Sequence, residues 1–308
     1  MNRALYQHPL AYLLGLEGLA LLRAFSGEYD REFTLARFTE TRKLLDSHEE
    51  LGDGIEARPM PTREGYVRWS AFYDEPGNEL IDIEQPIVRE ILDGLPVGVA
   101  LDAACGTGRH AEYLLSLGHT VIGVDDSPEM LAVARRKLPV VEFRQADLHD
   151  LPLADDSVDV VVCALALTHC PDLEAAFAEF VRVLRPSGHL VTSDSRGLIG
   201  DLSPPIVRTR SDGTFGYMRT WHRLASDYLA AALPLGLRVW RCVEPKRPTP
   251  LLAGDGTYVY DDEPPPAHVP GRPPDIWALH GLCPDAANAA FRGNPIAIIW
   301  HFQLDPRS

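Results

Sequence analysis

From Val97 onward the chain alternates two hydrophobic patterns. Short β-rich apolar runs, VGVALDA, HTVIGVD, VVEFRQAD, SVDVVVCAL and GHLVTSD, are separated by stretches in which apolar residues return every three or four positions. That alternation predicts βαβ units, hence a parallel sheet covered by helices on both faces. Ala111, Leu114 and Leu115 share one helix face that stops at Gly118, and Ser127 followed by Pro128 reads as an N-cap with a first-turn proline. Leu173, Phe177, Phe180, Val181 and Leu184 give a third stripe, opened by Asp172 and closed by Pro186-Ser187-Gly188. A polar connection through Thr220 then leads to a helix around Leu224–Leu235 and a strand, LRVWRCV. The last strand, PIAIIWHFQL, follows a proline-rich segment from about Pro245 to Gly293. The expected fold class is α/β: a Rossmann-like, doubly wound, mostly parallel sheet of seven strands behind an N-terminal helical extension.

Residues 1–58 read as that extension. Leu10, Leu13, Leu14 and Leu21 follow one helix face, and Phe33, Leu35, Phe38 and Leu44 suggest a second helix. No polar cluster in them carries chemistry, so packing or a homodimer contact is the expected role. MPTREG, from Met60, is the expected joint to a main domain spanning 59–308, in which 245–293 forms a long loop that either covers a substrate or is a solvated excursion. The apolar run LAYLLGLEGLALL contains Glu17 and is shorter than the roughly 20 residues of a membrane span. It has neither the basic flank nor the cleavage site of a secretory signal. A cytoplasmic protein with no membrane partner is expected.

Charge narrows the partners further. A net charge of -15 repels phosphate backbones, so no nucleic-acid partner is expected. Cys105, Cys163, Cys170, Cys242 and Cys283 show no CxxC pair and no histidine-rich ligand pattern, which argues against a metal and against a disulfide scaffold.

The chemistry gathers at LDAACGTGRHA, Leu101 to Ala111. Gly106 and Gly108, in a turn directly after a strand, let backbone approach a ligand closely, with Cys105 in the same turn. By itself Gly106-x-Gly108-x-x-Ala111 also fits a nicotinamide cofactor. Asp102, just ahead of the glycines, suits a ligand bearing positive charge better than a diphosphate. Asp125 ends the next strand, placed for the two hydroxyls of a ribose. Asp147 ends the third, where it can accept from an adenine amino group while Leu148 covers the purine face. The fourth strand ends in Ala164 and leads to His169.

These runs in order, LDAACGTGRHAEYL, VIGVDDSPEML and FRQADLHDLPLADDSVDVVVCALALTHCPDLEAAFAEFVRVLRPSGHLVTSD, resemble a class I S-adenosylmethionine-dependent methyltransferase of the bacterial, actinobacterial-like small-molecule branch, over roughly Gly65 to Asp194. The resemblance implies S-adenosyl-L-methionine as cofactor, with its ammonium near Asp102 and the backbone of Ala103. It implies ribose held at Asp125, with Asp126 and Met130 beside it, and adenine read by Asp147 and the backbone of Ala146 and Leu148. Tyr73, in WSAFYDEPGN, matches a tyrosine that closes over the methionine end. His110 stands where many members have a third glycine.

Methyl transfer is an in-line displacement, so the protein chiefly aligns the acceptor and excludes water. A base is needed when the acceptor is a hydroxyl or a protonated amine. His169, in THCPD, and His222, after the fifth strand, are the candidate bases. Asp194, Arg196, Trp277 and His280 are possible acceptor contacts. The expected reaction is methylation of an oxygen or nitrogen of a small, specialised metabolite. The alternatives are an NAD(P)-dependent oxidoreductase, which leaves Asp102 and Asp147 without a role, and a protein that binds S-adenosylmethionine without methylating.

Overall fold

The computed structural model describes residues 4–70, 73–74, 78–197, 207–209, 213–254, 257–259 and 264–306. In chain order the strands are β1 (Leu5–Gln7), β2 (Ile55–Met60), β3 (Val99–Ala103), β4 (Thr120–Asp125), β5 (Glu142–Gln145), β6 (Val158–Ala164), β7 (Leu184–Ser195), β8 (Val207–Thr209), β9 (Phe215–Met218), β10 (Leu237–Val243) and β11 (Ala297–Leu304). The α-helices are α1 (Pro9–Phe25), α2 (Arg31–Asp46), α3 (Thr62–Trp69), α4 (Glu79–Asp93), α5 (Arg109–Ser116), α6 (Pro128–Lys137), α7 (Leu173–Val183), α8 (Ala225–Ala232), α9 (Ile276–His280) and α10 (Pro284–Phe291).

Seven of the strands form one sheet in the order β10-β11-β7-β6-β3-β4-β5, matching the expected runs. The central pairings are parallel, and β11 lies antiparallel to both β7 and β10. Successive side chains of a strand point to opposite faces, so each strand feeds two cores. Leu101, Val161 and Ile298 pack with Phe177 and Phe180 of α7 and Tyr228 of α8. Ala100, Val160 and Ile299 pack on the other face with Val88 and Ile91 of α4, Leu114 of α5 and Leu131 of α6. Strand order runs outward from β3 through β4 to β5, then resumes on the other side with β6. The crevice between the carboxyl ends of β3 and β6 is therefore the topological switch point, where sheets of this kind bind ligands.

The chain divides into two units, and the division differs from the expected one. The seven-stranded sheet belongs to residues 61–203, 219–245 and 295–308, while 1–60, 204–218 and 246–294 form the other unit. The sheet unit begins at Pro61 and is not the continuous 59–308. In the second unit a small sheet runs β1-β2-β9-β8, with β2 parallel to β9. The extension is therefore not wholly helical: IEARPM buries Ile55 and Ala57 and exposes Glu56 and Arg58, a strand whose partner is remote in sequence.

The segment 245–293 is also more ordered than its prolines suggest. Positions 255–256 and 260–263 lie outside the described residues. Beyond them Trp277 and His280 fall in α9, and α10 buries Ala286, Ala287, Ala289 and Ala290 against α1. Pro284 opens α10, where a missing N–H costs nothing. Asn288 accepts the backbone N–H groups of Leu251 (2.7 Å) and Leu252 (3.0 Å), tying the proline-rich half to that helix. Glu17, in the apolar N-terminal run, is 1% exposed and pairs with Arg37 at 3.0 Å. No helix among the described residues is long and apolar enough to cross a membrane.

Candidate functional site

At the switch point lies a cavity of about 290 Å³, near the low end of the roughly 300–1,000 Å³ usual for small-ligand clefts. One wall is built from the carboxyl ends of β3, β4 and β5. The turn after β3 is held in the left-handed region at Ala104 (φ 57), Gly106 (φ 54) and Gly108 (φ 87). The two glycines are required for different reasons. A Cβ on Gly106 would meet nothing within 4 Å, so that position opens onto the cavity. One on Gly108 would stand 3.1 Å from Leu138 Cδ1, so that position serves packing against the end of α6.

Asp125 lines the cavity and organises the turn beneath it. Its Oδ2 accepts the Gly106 N–H at 2.8 Å and its Oδ1 the Ser127 N–H at 2.8 Å. Burial raises its carboxyl above the ordinary range, and the two N–H donors partly offset the shift. Asp126, Met130, Ala146, Asp147 and Leu148 continue this wall.

Asp102 departs from expectation. It is 2% exposed, does not line the cavity, and accepts the Ala111 N–H at 2.8 Å. A carboxylate at the end of β3, directly beneath the first turn of α5, finds the helix's unsatisfied N–H groups before any ligand. Burial pushes its carboxyl up to about 7, against the pull of Ala111 N–H and the Arg109 guanidinium. Ala103 and Cys105 likewise put their side chains into the two cores. His110, replacing the third glycine, is 4% exposed and 3.6 Å from Glu84 Oε1. Glu84, fully buried, accepts from Ser193 Oγ at 2.6 Å and Arg109 at 2.9 Å, fastening α4 to β7 and α5.

The facing wall is aromatic. Tyr66 of α3, Tyr73 and His169 all line the cavity, as do Ala164 and Leu165. Tyr66 meets the His169 ring edge-on, with centroids 5.6 Å apart and planes at 90°, and tilts against Tyr73 at 6.4 Å. Beside Tyr73, Asp74 accepts from Thr107 Oγ1 at 2.6 Å and from Lys137 at 2.9 Å, which fixes this segment over the glycine turn. His169 Nδ1 stands 3.0 Å from the Arg219 carbonyl oxygen. A carbonyl only accepts, so Nδ1 carries the proton and Nε2 keeps its lone pair. Burial lowers the ring's pKa, partly countered by that hydrogen bond, so the neutral form dominates near neutrality. Leu165 (φ 55) joins Ala104 as a non-glycine residue in the left-handed region on the cavity rim, strain of the sort that collects at functional sites.

His222, the second candidate base, is exposed and does not line the cavity. The Trp221 N–H is tied to the Thr168 carbonyl at 2.8 Å, leaving the next side chain outside. Asp194 is 1% exposed and lies behind the wall, accepting from Tyr228 Oη at 2.8 Å and Ser195 N–H at 3.0 Å. Burial pushes it up to about 7 as well. Arg196 is engaged by Glu244 at 3.0 Å.

The structure thus brings Tyr73, Gly106, Asp125, Asp126, Met130, Ala146, Asp147, Leu148, Ala164 and His169 together, and leaves Asp102, Ala103, Cys105, Gly108 and His222 off the cavity lining. Sequence reading missed Arg63, Tyr66, His149, Leu165 and Cys170, all on the lining. Of these, only the aromatic cluster of GYVRWSAFY offered a signal.

Comparison with known proteins agrees with this architecture. The profile of the methyltransferase domain matches residues 101–192. The chain is 41% identical over 95 residues to a malonyl-[acyl-carrier protein] O-methyltransferase of Yersinia pestis, covering 31% of this chain and 36% of that protein. It is 33% identical over 148 residues to a demethylmenaquinone methyltransferase of Renibacterium salmoninarum, covering 48% and 55%. The chain therefore spans about half or less of these curated relatives. A solved structure described as a DhpI–SAH complex superposes with a TM-score of 0.52 at 24% identity, over 80% of this chain and 96% of that one, which shows the fold alone. With the glycine turn, the acidic strand ends and the strand order in place, residues 101–192 belong to the class I S-adenosylmethionine-dependent methyltransferases.

Proposed function

We propose that this chain transfers a methyl group from S-adenosylmethionine to an oxygen or nitrogen of a small-molecule acceptor. The observation that carries the reading is a single cavity joining the open Gly106 turn and the acids Asp125, Asp126 and Asp147 to Tyr66 and His169. The first wall fits the cofactor: Gly106 admits close approach of the ligand, Asp125 retains lone pairs for ribose hydroxyls, and Leu148 covers adenine beside Asp147. Three carboxylates facing one space oppose a diphosphate, which argues against the nicotinamide alternative.

When bound, S-adenosylmethionine supplies an electrophilic methyl group whose transfer discharges a sulfonium. The chain's own residues align the acceptor and take its proton. His169 Nε2 accepts that proton, the Arg219 carbonyl holds the tautomer, and Tyr66 fixes the ring plane. The named reactions of the relatives set the panel for a test: small carboxylic acids, hydroquinones and phenols, with amines added, each incubated with methyl-labelled cofactor. Labelled product from one class supports the reading. Binding of the cofactor without transfer to any class would favour the non-methylating alternative.

The reading extends to assembly and compartment. Five free thiols suit the cytoplasm. Leu22, Phe25 and Phe38 of α1 and α2 are 66%, 91% and 53% exposed and form the homodimer contact of this proposal. Light scattering is expected to give a dimer that Phe25→Ser with Phe38→Ser dissociates; a monomeric parent protein would rule the contact out.

A further inference from the structure

We infer that His149 is a positioning residue for the adenine end of the cavity, fixing the Asp147 carboxylate so that its Oδ2 is presented to the adenine amino group. The inference rests on the cofactor reading above, and its argument is geometric. Asp147 has a side chain 62% exposed, and a carboxylate so open to water does not hold one plane unaided. His149 supplies two donors to the same oxygen: its backbone N–H lies 2.8 Å from Oδ1 and its ring Nδ1 2.5 Å from Oδ1. Oδ2 is left without a protein donor among the described residues.

The ring is itself anchored at its far side. With Nδ1 donating to Asp147, Nε2 of the imidazole is an acceptor, and the group that can donate to it is the Cys170 thiol, its Sγ 3.2 Å away; the carbonyl oxygen of Asp172, the N-cap residue of α7, stands 3.1 Å from Nε2. Cys170 Sγ is also 3.2 Å from the Asp172 oxygen. Arg223 donates to the Cys170 carbonyl at 2.6 Å. Asp147, His149 and Cys170 all line the cavity, so the loop after β5 is bolted through one imidazole to the loop after β6. Carboxylate, imidazole and thiol in series have the connectivity of a nucleophilic triad. Burial, however, pushes the Cys170 thiol up to about 11, which leaves it protonated. The cluster is therefore a brace for Asp147 and not a nucleophile.

The test titrates S-adenosylhomocysteine and S-inosylhomocysteine, in which a 6-oxo group replaces the adenine amine, into the parent protein, His149→Ala and His149→Asn. The parent is expected to prefer the adenine ligand by about tenfold, the worth of one charge-assisted hydrogen bond. His149→Ala is expected to bring that ratio near one by weakening the adenine ligand alone. His149→Asn, whose amide N–H can replace the Nδ1–H donor, is expected to restore most of it. Should His149→Ala fail to fold, His149→Phe keeps the ring's bulk without its nitrogens and carries the same expectation. Equal weakening of both ligands, or an unchanged ratio in the Ala or Phe variant, overturns the inference. A parent protein that does not distinguish the two ligands overturns the adenine reading of Asp147 instead.

Discussion

The two walls of the cavity are made of different material. On one side, backbone N–H groups and strand-end carboxylates form a fixed polar surface around Gly106 and Asp125. On the other, aromatic rings and one neutral imidazole are supplied by α3, by Tyr73 and by the loop after β6. Each wall has a buried carboxyl behind it, Asp102 beneath the first and Asp194 behind the second, both pushed by burial to about 7. The difference separates two tasks. On the proposed function the polar wall would bind the cofactor through donors and acceptors held by the fold, while the aromatic wall would exclude water and hold one base near the acceptor.

The largest expected effect comes from emptying the aromatic wall of its base. His169→Ala is expected to lower kcat by roughly 100-fold or more with S-adenosylhomocysteine affinity nearly unchanged, measured by initial rates beside calorimetry. Because burial lowers the His169 pKa, kcat/KM in the parent protein should stay level through neutrality and fall only at pH below about 6.5. An acid limb above that value, or unaltered turnover in the variant, would remove His169 from the mechanism.

Asp125→Ala attacks the opposite wall and should do the reverse. The variant removes the acceptor that holds the Gly106 turn together with the two charge-assisted contacts to ribose that the proposed function assigns to Asp125. S-adenosylhomocysteine affinity is expected to fall by about 100-fold, as read by calorimetry. Affinity within threefold of the parent would refute the ribose role.

A smaller effect should distinguish the buried carboxyls from those walls. An acid whose folded pKa is raised binds more protons in the folded than in the unfolded state. Its stabilising contribution is complete below the unfolded value, about 3.9, and is lost as pH rises through about 7. Asp194→Asn should therefore have a Tm that declines less than the parent's between pH 5 and 8. A parallel decline in both would place the titration elsewhere.

The polar wall was legible in the sequence because its chemistry is enforced locally. A turn needing φ near +54 at Gly106 selects glycine, and a parallel strand ends where its ligand-facing side chain emerges, as at Asp125; Asp147 does not end its strand as the pattern suggested but lies two residues beyond β5, which stops at Gln145. Asp102 is placed by the same local chemistry: the Ala111 N–H donates to it, which pattern alone cannot rank against a ligand's ammonium. The aromatic wall depends on contacts between remote segments. Tyr66 gains its meaning from His169, and His169 from the Arg219 carbonyl, so no spacing announces them. In the second unit, the strand Ile55–Met60 went unread because its partners, Leu5–Gln7 and Phe215–Met218, lie far from it along the chain.

The central claim is that the polar wall receives an adenosine carrying a sulfonium or its demethylated product, and no diphosphate. Calorimetry of the whole chain with S-adenosylhomocysteine and, in parallel, NAD tests it most directly. The account predicts one site for S-adenosylhomocysteine and no measurable heat of binding for NAD. Saturable binding of NAD with none of S-adenosylhomocysteine at millimolar concentration would contradict it.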